Sequence, residues 1–373
     1  FGCNRKNHQK RPRTSRNRNS GQNVMFIDFT ENINPESLSP QTEFEEKVIS
    51  FLKEWYSSVP KVSVQTSGST GIPKVFEIEK NKMLNSARMT CDFLNLKEGD
   101  TALLCLPVEY ISGKMMVVRA LERKLRLTVA TPTAKPVQNL EVNTDFCAMS
   151  PLQVENSLDK IRFIKNLIIG GAQVSESLKA KIHKQLSPDS HHPAPRIYET
   201  YGMSETLSHI ALKQIYPVSE EYFSVFEGIK IALDERGCLK ISAPNLNPEI
   251  LQTNDLVELK DSRHFKFLGR IDHVINSGGL KIHPEELERL LLRHIAGEAA
   301  FLGAKDEKLG QKLVLVIEGE ENEELKLQLD ETLKEIEKTF SKNHLPKSIH
   351  FIPVFPRIPN GKMNRKELLH LFQ

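Results

Sequence analysis

Between about residue 40 and residue 215, short β-rich runs alternate with helical spacings, and this alternation constrains the fold more than any other feature. Residues 62–65, 101–106, 127–130, 145–149, 166–169 and 196–199 read as strands, while 80–93, 113–123 and 175–186 carry helical periodicity. Strands joined through helices imply a mostly parallel sheet covered by helices on its faces. Ligands of such sheets bind at the loops leaving the strand C-termini.

With 373 residues, 39% of them hydrophobic, the chain is long enough for two domains with real cores. Its longest apolar stretches, at 101–108 and 313–317, fall far short of the ~20 residues of a membrane-spanning helix. Seven of the 51 basic residues (Arg5, Lys6, Lys10, Arg11, Arg13, Arg16 and Arg18) crowd into residues 1–22 without an acidic partner; the remainder carries 44 basic against 48 acidic residues. Such a segment cannot bury enough apolar area to offset its ordering entropy, so 1–22 is expected to be a disordered basic leader or an added, non-native stretch. No aromatic residue is interleaved with its charges to stack on bases, so a nucleic-acid partner is not expected. Cys3, Cys91, Cys105, Cys147 and Cys238 form neither a CxxC pair nor a dense framework. That usage suits a reducing cytoplasm and argues against structural zinc.

After about residue 220 the pattern changes to short alternating strands, including an expected hairpin of 255–259 and 264–268 around the turn 260–263. The last hundred residues form another unit. There Pro284 suits a first helical position, Glu285 and Glu286 favour the positive helix end, and Leu287, Leu291 and Ile295 repeat on one face before Gly297 supplies a stop. Strands are expected at 300–304, 313–317 and 348–352, with Leu325, Leu329, Leu333, Ile336 and Phe340 marking a long amphipathic helix. The expected architecture is α/β: a large N-terminal domain, 23–269, with a mostly parallel helix-covered sheet plus a small antiparallel β unit, followed by a smaller α+β domain, 270–373.

Four loops and two hairpin residues can carry chemistry. Thr66, Ser67, Gly68, Ser69, Thr70, Gly71 and Lys74 follow a strand and offer backbone N–H groups, hydroxyls and a cation to a polyphosphate. The order is not a Walker motif, and a polar turn explains the stretch about equally well. Residues 198–206 combine an aromatic ring, hydroxyls and a carboxylate across one glycine: Tyr201 and Gly202 can border a base, Ser204 or Thr206 can donate to phosphate, and Glu205 can hold Mg²⁺ together with phosphate oxygens. An ordinary strand-to-helix connection fits as well. Gly170, Gly171 and Ala172 let a planar ligand approach the backbone, or form a simple turn. Asp255 and Arg270 end the two arms of the hairpin, where a carboxylate can accept both hydroxyls of a ribose; a surface acid and a surface arginine are the plainer alternative. Lys362 sits in the Pro/Gly turn 359–365 and, without a facing site, is a solvated lysine.

Taken together and in order, these motifs resemble the adenylate-forming superfamily of acyl-CoA synthetases, peptide-synthetase adenylation domains and firefly-type luciferases. TSGSTGIPK looks like the family's phosphate loop, YGMSET its adenine and Mg²⁺ segment, TND its ribose aspartate, GRIDHVINSGGLKIHPEELE its hinge region and PNGKMNR its lysine turn. The short chain and the LPVEYISG stretch at 106–113 look most like the o-succinylbenzoate-CoA ligases of menaquinone biosynthesis. Tyr110 stands where a histidine is frequent, Ala172-Gln173 where Gly/Ala-Pro is usual, and Asn254 replaces the glycine of TGD.

The resemblance implies an ATP-, Mg²⁺- and CoA-using ligase in which Lys362 bridges the reacting anions and the C-terminal domain is mobile about a hinge at Asp272. By the same likeness, Thr66–Thr70, Gly71, Lys74 and Ser204 hold phosphates, Gly170–Ala172, Tyr201 and Gly202 the adenine, and Asp255 and Arg270 the ribose. Tyr110 and Ser112 would contact the acid, and Glu205 the metal. The implied partners are the small molecules alone, with a homo-oligomer left open and no membrane span. Loading of another carboxylate onto a carrier protein, and a catalytically silent nucleotide-binding module, are the alternatives.

Overall fold

A computed structural model describes residues 24–65, 75–186, 194–295, 297–357 and 363–372. The first body runs β1 (Met25–Asp28), α1 (Glu43–Tyr56), β2 (Lys61–Gln65), β3 (Val75–Glu79), α2 (Lys80–Phe93), β4 (Thr101–Leu104) and α3 (Ile111–Glu122). It continues with β5 (Arg126–Val129), β6 (Thr144–Met149), α4 (Pro151–Glu155), β7 (Ile164–Ile169), α5 (Glu176–Gln185) and β8 (Arg196–Gly202). Six further strands follow: β9 (His209–Tyr216), β10 (Phe223–Val225), β11 (Lys230–Leu233), β12 (Cys238–Ala243), β13 (Asn247–Leu259) and β14 (His264–Arg270).

Twelve of these strands form one sheet in the order β1-β5-β4-β6-β7-β8-β9-β10-β14-β13-β12-β11. Its parallel core is β5, β4, β6, β7 and β8. Because successive residues of a strand face opposite ways, β4, β6, β7 and β8 each feed two separate apolar clusters. Ala102, Leu104, Phe146, Ala148 and Ile168 join the side chains of α1, α2 and α3, among them Leu52, Met83, Ala87 and Met116. Leu103, Cys147, Met149, Leu167 and Ile169 join Val154, Leu178 and Ile182 of α4 and α5. Burial on both faces is why these strands read as unbroken apolar runs. Cys91, Cys105, Cys147 and Cys238 are all free and buried, as small core residues.

One feature differs from the sequence expectation. The strand at 62–65 stays outside the large sheet; β2 pairs antiparallel with β3, up to the Gln65–Val75 pair. The small antiparallel unit after residue 220 is attached to the first sheet, as expected. Strand β9 pairs antiparallel with β8, so the same sheet continues into the expected hairpin, in which Asp255 lies directly across from Arg270.

The second body comprises β15 (Ile275–Ser277), β16 (Leu280–Ile282), α6 (Pro284–Leu291), β17 (Ala299–Asp306), β18 (Gly310–Glu318), α7 (Glu323–Thr339), β19 (Ser348–Ile352) and α8 (Arg365–His370). Its five-stranded sheet repeats the two-faced logic. Phe301, Leu313, Leu315 and Ile317 pack on α6 and α7 through Leu287, Leu291, Leu329 and Ile336. Ala300, Leu302, Val314 and Val316 pack on Phe355 and on Leu368 of α8. Helix α6 ends at Leu291, six residues before the expected stop at Gly297, yet Ile295 keeps its place in the core because its N–H bonds the Leu291 carbonyl at 3.2 Å.

The start of α3 is fixed by a close backbone approach. A Cβ on Gly113 would lie 2.2 Å from the Pro107 carbonyl oxygen, so no side chain fits there. Gly113→Ala should therefore destabilise the first body by about 1–3 kcal/mol, read as a lowered midpoint in urea unfolding with an unchanged slope.

Candidate active site

The connection leaving β4 meets the end of β2. Thr66, Ser67, Gly68, Ser69, Thr70, Gly71 and Lys74 lie outside the described residues, but both ends of their segment are fixed. The Gln65 N–H donates to the Glu109 carbonyl at 3.4 Å, and Gln65 forms an isolated parallel bridge with Tyr110. The end of β2 is thus tied to the connection that starts α3, where Tyr110 is the exposed N-cap residue and Ser112 is exposed in the first turn. Beneath it Lys47 pairs with Glu109 at 2.8 Å. Lys114 is buried over the Phe51 ring, 4.3 Å from its centroid, and 4.0 Å from Glu54.

At the end of β7 the Gly170 N–H donates to the Met149 carbonyl at 3.1 Å, and a Cβ on Gly170 would lie 2.8 Å from the Thr200 hydroxyl. Gly171 has φ +87°, a left-handed conformation that favours glycine. Glu199 holds this turn in place: buried on β8, it accepts the Val174 N–H at 3.0 Å and pairs with Lys213 at 3.0 Å. Gly170, Gly171 and Ala172 therefore border the end of β8, beside Thr200.

Tyr201 points into the antiparallel arm. Its hydroxyl donates to Asp255 Oδ2 at 2.5 Å, and its ring meets Phe265 edge-on at 4.8 Å between centroids. Burial, reinforced by the neighbouring Asp255 charge, pushes the phenol well above its usual range. Asp255 is itself buried and receives Arg270 Nη1 at 3.4 Å. The other side of the same guanidinium grips Asp272, with Nε to Oδ1 at 2.9 Å and Nη2 to Oδ2 at 2.8 Å. This two-pronged contact holds the Asp272 carboxyl below its ordinary value. One arginine therefore joins the ribose candidate Asp255 to the hinge candidate Asp272.

Gly202 permits contact between two backbones, since a Cβ there would fall 2.4 Å from the Cα of His209. After it, Ser204 and Glu205 stand exposed in a single 3₁₀ turn. Thr206 locks that turn from inside, accepting the Met203 N–H at 3.1 Å and donating to the Ser208 carbonyl at 2.8 Å. Among the described residues no three His, Cys, Asp or Glu side chains gather as a metal cage. An exposed single carboxylate such as Glu205 fits Mg²⁺, which is commonly bound by one or two carboxylates plus phosphate oxygens and water. Lys362 lies outside the described residues; next to it, Met363 bridges to Arg357.

The sequence reading missed Arg119. This α3 residue is only 2% exposed, and it makes no ion pair among the described residues. Nη2 donates to Ser208 Oγ at 3.1 Å, while Nε has no partner. Burial lowers the guanidinium to about 10. Behind it, His209 Nε2 lies 3.1 Å from the Thr90 hydroxyl, and burial, with a smaller effect from Arg119, keeps the imidazole neutral. A signal was present: Arg119 interrupts the apolar run 115–120, where every neighbour is core. Two other cations of this body are engaged elsewhere, Arg88 with Glu122 at 3.1 Å and Lys114 over the Phe51 ring of α1.

Comparison with known proteins matches residues 62–232 to the AMP-binding enzyme family. The solved structure of an acyl-CoA synthetase (AMP-forming)/AMP-acid ligase II-like protein from Dyadobacter fermentans is 34% identical, covering 94% of this chain and 100% of that one, with a TM-score of 0.62. A 2-succinylbenzoate–CoA ligase of Lactococcus lactis is 26% identical over 331 residues, which are 82% of this chain and 70% of that protein. An o-succinylbenzoate coenzyme A synthetase from Bacillus subtilis, solved with ATP and magnesium, shares the fold at 21% identity and a TM-score of 0.66 over 82% of this chain and 69% of its own. The full-length likeness at 34% identity, together with the family match, shows that this chain belongs to the AMP-binding enzymes, as an AMP-forming acyl-CoA ligase.

Proposed function

We propose that the acid is o-succinylbenzoate and the product o-succinylbenzoyl-CoA, a step of menaquinone biosynthesis. The observation that carries this reading is Arg119. A buried guanidinium without a carboxylate is costly unless an anion completes it, and o-succinylbenzoate brings a second carboxylate that takes no part in the chemistry. Arg119 donates to Ser208, two residues beyond the segment 198–206 that this reading places at the acyl pocket. The curated relatives at about a quarter identity point the same way.

In this reading the reacting carboxylate attacks the α-phosphate of ATP, a bond to the acyl oxygen forms, and pyrophosphate leaves. The protein must bring two anions together, and a cation between them gains strength as charge redistributes in the transition state. Lys362 is that cation. Residues 66–71, Lys74 and Ser204 cradle the phosphates, Glu205 holds Mg²⁺, which neutralises their charge, and Gly170–Ala172 with Gly202 border the adenine. Tyr201 serves Asp255 and fixes the carboxylate that accepts the ribose hydroxyls beside Arg270. Tyr110 and Ser112 line the acid's entrance. CoA thiolate then attacks the acyl carbon and AMP leaves. Because one site cannot hold both Lys362 and the thiol, domain 270–373 turns on Asp272 against domain 23–269 between the two steps.

Pyrophosphate release with o-succinylbenzoate, benzoate and medium-chain fatty acids, each with and without CoA, tests the substrate. A CoA-dependent maximum at o-succinylbenzoate is expected; a maximum at another acid would discard that substrate and leave the adenylation chemistry standing. Arg119→Met should raise KM for o-succinylbenzoate roughly tenfold to a hundredfold, the worth of a charged hydrogen bond, while sparing benzoate. Equal losses for both acids would make Arg119 a core support. Lys362→Ala should slow adenylation on the order of a hundredfold to a thousandfold, and a wild-type rate would remove Lys362 from its role.

A further inference from the structure

The flanks of residues 358–362 are held by arginines on both sides. Before them, Arg357 forks across two acids of the second body, Nη1 to Glu298 at 3.0 Å and Nη2 to Glu318 at 2.7 Å. After them, Met363 bridges back to Arg357, and the Asn364 N–H donates to the Pro356 carbonyl at 2.7 Å. Arg365 then turns inward. Its Nη2 bonds Glu288 Oε2, and its Nη1 donates to the Phe301 carbonyl at 3.2 Å. Glu288 completes a closed ring by accepting the Phe301 N–H at 2.7 Å. Helix α6, strand β17 and the start of α8 thus meet at one ion pair, in which Glu288 is buried and Arg365 largely enclosed.

Burial pushes the Glu288 carboxyl up, and Arg365 opposes that shift. Burying such a pair is a poor route to stability, since apolar residues of similar volume often do as well or better. What it supplies is direction: a planar guanidinium bonded at two edges leaves its backbone little rotational freedom. Arg365 stands three residues after Lys362, immediately beyond the capping residue Asn364.

We propose that Arg365, held by Glu288, is a positioning residue that aims the segment bearing Lys362, and that it therefore acts in adenylation and not in thioester formation. The proposal rests on the reading of Lys362 as the adenylation cation. Misplacement of a catalytic group by about 1 Å can cost on the order of a hundredfold in rate, so the loss of direction has a measurable signature.

The test uses the full chain and whichever of o-succinylbenzoate, benzoate or decanoate the wild type adenylates fastest. In the paired variant Arg365→Met with Glu288→Leu, both charges are removed together, so neither is left uncompensated. Pyrophosphate release from ATP is measured as the first half-reaction. CoA thioester formation from that acid's preformed adenylate is measured as the second, alongside the thermal midpoint. The expected result is a fall in adenylation kcat of roughly ten- to a hundredfold at unchanged KM for ATP, with thioester formation within twofold and the midpoint kept. Arg365→Lys, which keeps the charge and loses the fork, should fall between the paired variant and wild type. Equal loss in both half-reactions, or wild-type adenylation in the paired variant, overturns the proposal. Lys362→Ala run in parallel separates the two ideas: wild-type adenylation there removes the lysine reading and the proposal with it. A slow Lys362→Ala beside a fast paired variant removes the proposal alone.

Discussion

The contact between Gly202 and His209 is the constraint from which the rest of the site follows. From β4 to β8 the strands are parallel, so each new one is reached by a crossover. At Gly202 the backbones of β8 and β9 come too close for any Cβ, the pairing register shifts between Tyr201 and Gly202, and Leu207 adopts φ +68°. The chain therefore reverses at once and extends the sheet antiparallel. That reversal exposes Ser204 and Glu205 in one short turn and turns Tyr201 towards the arm that carries Asp255. It also sets Ser208 against Arg119. A bulky residue at 202 would disturb phosphate, ribose and acyl contacts together, although only some of them touch the glycine.

Charge in this molecule is arranged by how much each group is allowed to keep water. Arg270 is partly exposed and shared between Asp255 and Asp272, so its contacts can be exchanged at modest cost. Arg365 and Glu288 are enclosed together and form a fixed joint inside one body. Arg119 is buried with Ser208 as its nearest oxygen partner, an incomplete arrangement that the proposed anionic substrate would complete. Exchangeable, fixed and incomplete electrostatics thus lie in the proposed hinge, the second body and the proposed acyl side respectively.

The sequence was most informative where local pattern and burial coincide. The runs at 101–106, 145–149 and 166–169 were legible because both faces of those strands are covered, and α2 was legible to the residue because its apolar face repeats without interruption. The hairpin at 255–268 followed from its polar turn, and it brought Asp255 and Arg270 opposite each other. Strand β2 was legible as a strand but not in its pairing, since pairing with β3 is set by a partner nine residues further on. Arg119 and Glu199 were missed for a shared reason. A charged residue in a helix or strand defaults to the solvent side, and three-dimensional packing is what shows that these two side chains are enclosed, although the apolar run around Arg119 pointed to it. The Tyr201 hydroxyl bond to Asp255 joins residues 54 positions apart and has no local signature at all.

Helix α6 has two faces of unlike chemistry. Leu287, Leu290 and Leu291 are locked into the core of the second body. Glu285 and Arg289, one turn apart, look the other way onto β14: Glu285 lies against Gly269 and bonds His273 at 2.6 Å, and Arg289 Nη2 donates to the Phe267 carbonyl at 3.4 Å. Were this outer face leucine, separating it from β14 would cost about 25 cal/mol for every Å² re-exposed to water. Polar groups meeting a backbone carbonyl and a histidine can instead exchange those partners for water at little net cost. A helix that is apolar inward and polar outward keeps its own body intact while leaving its contact with the large sheet separable. The proposed reaction makes that demand, because a domain that must present a lysine in one step has to withdraw it in the next.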